Sequence, residues 1–239
     1  MRVVSCVPSL SELAEELSPG CLAGRTRYCI APSSISKVSK IGGTKDLDVA
    51  SIIRINPDLV LSVKEENEKC QIEELNAAGI PVEVFDIRTL KDAIAMVIRC
   101  GSLLGNEEMA GLLASEMQQL ADQPKLQRGT VLYFIWKNPW MVAGRETFIG
   151  NLLELCGYEN LAAEGTRYPQ LQDEELLKLN PGTIFLSSEP YPFREKHRKV
   201  FLNNFPNSPV YCVDGSIFSW YGRRTTLLPS YLNELLEND

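Results

Sequence analysis

Short β-branched runs alternate with stretches of helical period along the whole chain, which predicts an α/β protein with mainly parallel sheets. Residues 3–7 read as a first buried strand, broken by Pro8-Ser9. Ser9 and Glu12 have capping-box spacing ahead of a helix with Leu10, Leu13, Ala14 and Leu17 on one face. Pro19-Gly20 ends it, and a short strand at 21–24 leads into a polar loop through Arg27-Tyr28-Cys29. Asp48 is expected to cap a helix, Asn56-Pro57-Asp58 to turn into a strand at 59–62, and Gly79 to close a helix over 71–78 ahead of a strand at 82–85.

The second half repeats this grammar. Asn180-Pro181-Gly182 leads into a strand at 183–187 as Asn56-Pro57-Asp58 leads into 59–62, and Ser208-Pro209-Val210 matches Ile80-Pro81-Val82. Two matched blocks at nearly one offset predict two similar Rossmann-like lobes. Between them, Thr89 opens one apolar-striped helix and Asn106 a second, about 24 Å long at 1.5 Å per residue. The expected organisation is an N-terminal α/β lobe (1–88), connecting helices (89–124) and a C-terminal α/β lobe (125–239). A long rigid helix then bridges the lobes, with a ligand cleft between them.

At 239 residues, 44% hydrophobic and 23% charged, the chain has an ordinary globular composition, which excludes disordered and collagen-like classes. A net charge of −7 speaks against a nucleic-acid binder, and no apolar run is long enough to be embedded in a membrane. The start of the chain carries no signal-peptide pattern, so the expected location is cytoplasmic, or periplasmic if a leader has been removed. Seven cysteines without close pairing read as reduced thiols, mostly buried.

The single histidine, His197, lies in a basic run at 194–199 that reads as a solvated helix face. Neither zinc spacing nor a Ser-His-Asp arrangement is supported, and Gly42-Gly43-Thr44-Lys45 lacks phosphate-loop spacing and reads as a turn. The chemistry concentrates at predicted strand ends, where open parallel sheets bind ligands. Those positions hold Ser9, Lys64, the run Trp136-Lys137-Asn138-Pro139-Trp140, Glu189 through Phe193, and Phe218 through Arg224. Arg27-Tyr28 and Arg167-Tyr168 occupy matching loops. Several aromatic loops gathered at strand ends predict a large, flat, partly apolar ligand, with Arg27, Arg145 and Arg224 for its anionic edges.

The chain resembles the class III substrate-binding proteins, or helical-backbone metal receptors. The resemblance is carried by Ser5-Cys6-Val7-Pro8-Ser9-Leu10-Ser11-Glu12, by Ile41-Gly42-Gly43 through Asn56-Pro57-Asp58-Leu59-Val60, and by Asn138-Pro139-Trp140 through Gly144-Arg145-Glu146-Thr147. The run Asn151 through Asn160, with Arg167-Tyr168-Pro169-Gln170, is most similar to the cobalamin-binding branch. The resemblance implies a non-enzymatic protein that needs no cofactor and carries cobalamin, haem or an iron–siderophore to an ABC importer permease. It implies ligand contacts from Tyr28, Trp140, Tyr168, Phe218 and Trp220. The family's acidic docking residue has candidates in Glu65, Glu66 and Glu68 on the first lobe; the loop at 218–221 has Ser219 and no carboxylate. The competing expectation is a cytosolic enzyme or sensor for a small anionic metabolite, built on Arg145, Tyr168, Glu189 and Arg224.

Overall fold

A computed structural model describes residues 1–124, 126–162 and 167–237. The chain forms two compact units: Met1–Ile87, Lys91–Met117 and Trp220–Arg223 make the first, and Arg88–Leu90, Gln118–Ser219 and Arg224–Asp239 the second.

In the first unit the order is β1 (Val3–Ser5), α1 (Pro8–Leu17), β2 (Leu22–Arg25), a 3-10 helix (Ser33–Lys37), β3 (Ser39–Lys40), α2 (Val49–Ile55), β4 (Leu59–Val63), α3 (Lys69–Ala77) and β5 (Val82–Phe85). Then come α4 (Leu90–Leu104) and α5 (Glu107–Asp122). The strands lie in the order β3-β2-β1-β4-β5, and every pair is parallel. Helices on a parallel sheet bury both strand faces, which is why β1 and β4 read as unbroken apolar runs. Val4, Ile41, Ile52, Val60 and Leu75 lie in its core.

The second unit contains β6 (Gly129–Trp136), β7 (Trp140–Val142), α6 (Phe148–Leu155), β8 (Tyr158–Asn160), β9 (Gln170–Leu171), α7 (Asp173–Leu179), β10 (Thr183–Ser187), α8 (Glu195–Asn204) and β11 (Val210–Val213). Three helices follow: α9 (Gly215–Ser219), α10 (Arg223–Thr226) and α11 (Leu228–Glu237). Strands β8, β10 and β11 extend the sheet in parallel from β6, whereas β7 pairs antiparallel with β6 and β9 antiparallel with β7.

The predicted duplication is present in the pairing. β1 lies between β2 and β4 as β6 pairs with β8 and β10, and β5 lies on β4 as β11 lies on β10. The registers correspond too: Val3 faces Leu59 and Val131 faces Thr183, while Val60 faces Val82 and Ile184 faces Val210. Asn56 and Asn180 each close a helix in the left-handed region, at φ 49° and 41°, immediately before a proline. Asn tolerates this geometry better than other side chains, and the following proline prevents the helix from continuing.

Local signals held where a side chain could reach a free N–H. Asp48 accepts from Ser51 N at 2.9 Å and Asn106 from Met109 N at 3.2 Å; α6 is capped in the same way by Thr147, which is not among the expected caps and accepts from Gly150 N at 3.0 Å. The expected capping box at Ser9 does not form. Pro8, with its fixed φ, occupies the first turn of α1, so Val7 becomes the N-cap and Ser9 falls inside the helix. The connecting helices are also placed differently from the expected division: Lys91–Met117 belongs to the first unit, and the boundary falls within α5.

Gly157 turns α6 into β8 at φ +89°, and a Cβ there would collide with the carbonyl oxygen of Leu126. Gly157→Ala is expected to lower stability by about 2 kcal/mol, since it combines a left-handed residue with a backbone clash. Equal urea midpoints for the two proteins would contradict this.

Candidate functional site

The carboxyl ends of the first unit's strands are organised around a residue that the site prediction passed over. Arg25, the last residue of β2, is 5% exposed. Its guanidinium donates to the carbonyl oxygens of Ile35 at 2.9 Å, Cys29 at 2.8 Å, Thr26 at 3.2 Å and Ser36 at 3.0 Å. One buried cation thereby fixes both the 26–32 loop and the 3-10 helix after it. Cys29 is buried beside it, with its sulfur 3.0 Å from Thr26 Oγ1, and burial raises its thiol pKa.

This loop turns Arg27 and Tyr28 outward. Tyr28 is 54% exposed, with the Arg27 guanidinium 5.7 Å from its ring centroid. Arg27 also pairs with Asp46. Gly43 lies beneath: a Cβ there would strike Asp46 and crowd both Arg27 and Tyr28. Lys64, beyond β4, pairs with Asp86, beyond β5, at 2.8 Å. Ser9 is 2% exposed, and its buried Oγ has no hydrogen-bond partner.

In the second unit the exposed aromatic face is at Trp136 and Tyr191. Trp136 ends β6 at 40% exposure, and half-buried Tyr191 meets it edge-on at 5.8 Å. The loop beyond β10 folds back on β6 through Tyr191 N donating to Ile135 O at 3.2 Å. Glu189, in that loop, accepts from Ser219 Oγ at 2.7 Å. Arg224 donates to Ser216 Oγ at 2.6 Å, which in turn donates to Asp214 at 2.7 Å.

Other predicted contacts have structural employment. Trp140 packs edge-on against Phe134 and Phe201, and its indole N–H donates to Asp173 at 2.7 Å. Phe218 is fully buried among Tyr133 and Phe185, and Trp220 is 7% exposed. Arg145 is half-buried and donates to Asn160 O at 2.9 Å; Tyr168 is half-buried. The structure thus brings Arg27 to Tyr28 and Glu189 to Ser219, and it pairs Trp136 with Tyr191, two members of the expected strand-end runs that are not among the residues singled out as ligand contacts. The signal for that pair was its place directly after the β6 and β10 runs.

His197 corrects the solvated-face reading. It is buried within α8 against the rings of Tyr191 and Phe193, at 5.5 Å from each.

Two parallel α/β units with aromatic and charged groups at their strand ends define a ligand-binding protein. Residues 16–211 match the periplasmic binding protein family, and the chain belongs to it. The vitamin B12-binding protein of Pectobacterium atrosepticum is 25% identical over 238 residues, spanning 95% of this chain and 85% of its own. An uncharacterised ABC transporter substrate-binding lipoprotein of Bacillus subtilis is 28% identical, over 93% of this chain and 76% of its own. Among solved structures, the periplasmic vitamin B12 binding protein of Vibrio cholerae superposes with a TM-score of 0.81 at 18% identity, covering 98% of this chain and 97% of its own. The periplasmic haem binding protein of the same organism gives 0.80 at 21% identity, over 99% and 98%.

The protein is therefore a non-enzymatic ligand-binding protein of the ABC-transporter substrate-binding type. The expectation of an enzyme or sensor for an anionic metabolite gives way to this family. Among the described residues, no helix is long and apolar enough to cross a membrane.

Proposed function

We propose that the protein binds a corrinoid, or a metal chelate of similar breadth, and presents it to an importer permease. The observation that carries this reading is the aromatic pair at the strand ends of the second unit, exposed Trp136 with half-buried Tyr191 edge-on against it. Tyr28, backed by Arg27, is its counterpart at the strand ends of the first. A corrin or porphyrin offers a broad apolar face for such rings and carboxylate or amide edges for arginine and lysine donors. A bare cation would need converging His, Cys or carboxylate ligands, and the described residues contain no such cluster. The vitamin B12-binding relatives favour the corrinoid over haem. The family's periplasmic setting favours the periplasm over the cytoplasm, and the acidic loop at 65–68 is our choice for permease docking.

Calorimetry with cyanocobalamin and with haemin tests the reading. Cyanocobalamin is expected to bind, and Trp136→Ala to weaken it roughly tenfold, the equivalent of about 1–1.5 kcal/mol for one aromatic face. Binding of neither tetrapyrrole, or equal affinity in Trp136→Ala, would sink the proposal.

A further inference from the structure

We propose that His197 is a positioning residue: in its neutral form it holds Tyr191 against Trp136, and protonation of this one imidazole unseats the aromatic pair. The inference rests on reading those rings as the ligand-binding face. His197 is the chain's single histidine and is 6% exposed. Its Nδ1 accepts the Arg194 backbone N–H at 2.9 Å, at the start of α8. An accepting Nδ1 carries no proton, so the neutral ring is the Nε2–H tautomer. That proton faces the Tyr191 hydroxyl, 3.2 Å away. Tyr191 is thereby held from two sides, by the imidazole at its hydroxyl and by the end of β6 at its backbone.

Protonation leaves the Nε2–H donor to Tyr191 in place and acts at Nδ1 and on the ring's surroundings, so Tyr191 moves only as the ring that holds it is displaced. A second N–H at Nδ1 would point at the Arg194 N–H, donor against donor, and the helix start would lose its acceptor. The new charge would lie among the Tyr191 and Phe193 rings and near cations: Lys137 in the β6–β7 turn, with Arg194 and Lys196 at the start of α8. Glu195, also on α8, pairs with Arg198 at 3.6 Å. Burial first, then Lys137 and Lys196, lower the imidazole pKa from its ordinary 6.5. A base whose folded pKa is depressed stabilises the fold fully above its unfolded pKa. That contribution is lost as pH falls through the folded value.

The test combines three readouts on the whole chain. The ¹⁵N spectrum of the imidazole reports tautomer and midpoint, and with a single histidine it needs no assignment. Fluorotryptophan labelling reports Trp136, assigned through Trp136→Phe, and calorimetry uses cyanocobalamin as the probe. We expect the Nε2–H tautomer, a midpoint below 6.5, and a Trp136 fluorine signal that moves with that midpoint. Affinity for cyanocobalamin should fall as pH drops through that midpoint and level off about tenfold lower, the loss expected when the Trp136 face is removed. His197→Asn, whose amide oxygen can accept from Arg194 without titrating, should flatten both dependences. Tyr191→Phe should keep the imidazole titration but disconnect Trp136 from it, and it serves equally if the Asn variant folds poorly. A Trp136 signal that stays fixed through the titration, or an Nδ1–H ring at neutral pH, overturns the proposal. Should cyanocobalamin bind at no pH, the ligand reading fails, and the imidazole and fluorine signals still decide this one.

Discussion

Replacing Arg25 with leucine is expected to remove about 3–5 kcal/mol of stability, which is large for a residue outside the apolar core. The side chain donates to four carbonyl oxygens drawn from Thr26, Cys29, Ile35 and Ser36. Leucine keeps much of the apolar stem but supplies no donor, so the carbonyls of the buried residues Thr26, Cys29 and Ile35 each lose a hydrogen bond. Arg25→Lys should recover only part of the loss, because one ammonium cannot reproduce a planar fork reaching several acceptors. Urea denaturation followed by circular dichroism measures both variants. Because Tyr28 stands on the same loop, cyanocobalamin affinity should fall in Arg25→Leu even under conditions where the protein stays folded. Stability within about 0.5 kcal/mol of wild type would show that the loop holds itself without the guanidinium.

The architecture was legible because its signals are local and repeated. Asn-Pro after a helix, Asp48 and Asn106 at helix starts, and continuous apolar runs in buried parallel strands each act within a few residues. The candidate site was less legible because side-chain direction depends on partners distant in sequence. Trp136 and Trp140 are four residues apart, yet the first ends a strand with an exposed ring. The second packs on Phe134 and Phe201 and donates to Asp173. Arg25 and Arg27 are two residues apart in the same way, one buried as a scaffold and the other turned outward. His197 follows this logic: its basic neighbours in sequence suggest solvent, but the aromatic residues of the preceding loop enclose it.

Phe218→Ala should therefore behave as a core mutation and Trp136→Ala as a surface mutation, although both residues belong to aromatic strand-end segments. Phe218 is 0% exposed, with ring centroids of Tyr133 at 5.0 Å, Phe185 at 5.9 Å and Tyr231 at 6.3 Å. Truncation would remove its transfer free energy and leave a cavity bounded by rings that belong to β6, β10 and α11. These rings cannot close over it without moving the elements that carry them. The expected cost is about 3–5 kcal/mol, with a smaller loss for Phe218→Leu, which refills part of the volume. Trp136, at 40% exposure, should change stability by no more than about 0.5 kcal/mol while reducing cyanocobalamin binding. Thermal and urea unfolding of Phe218→Ala, Phe218→Leu and Trp136→Ala, each paired with calorimetry, separates stability from binding at every position. If Phe218→Ala kept wild-type stability and lost only its ligand, Phe218 would belong to the binding face, and its burial among Tyr133 and Phe185 would have been misread as core packing.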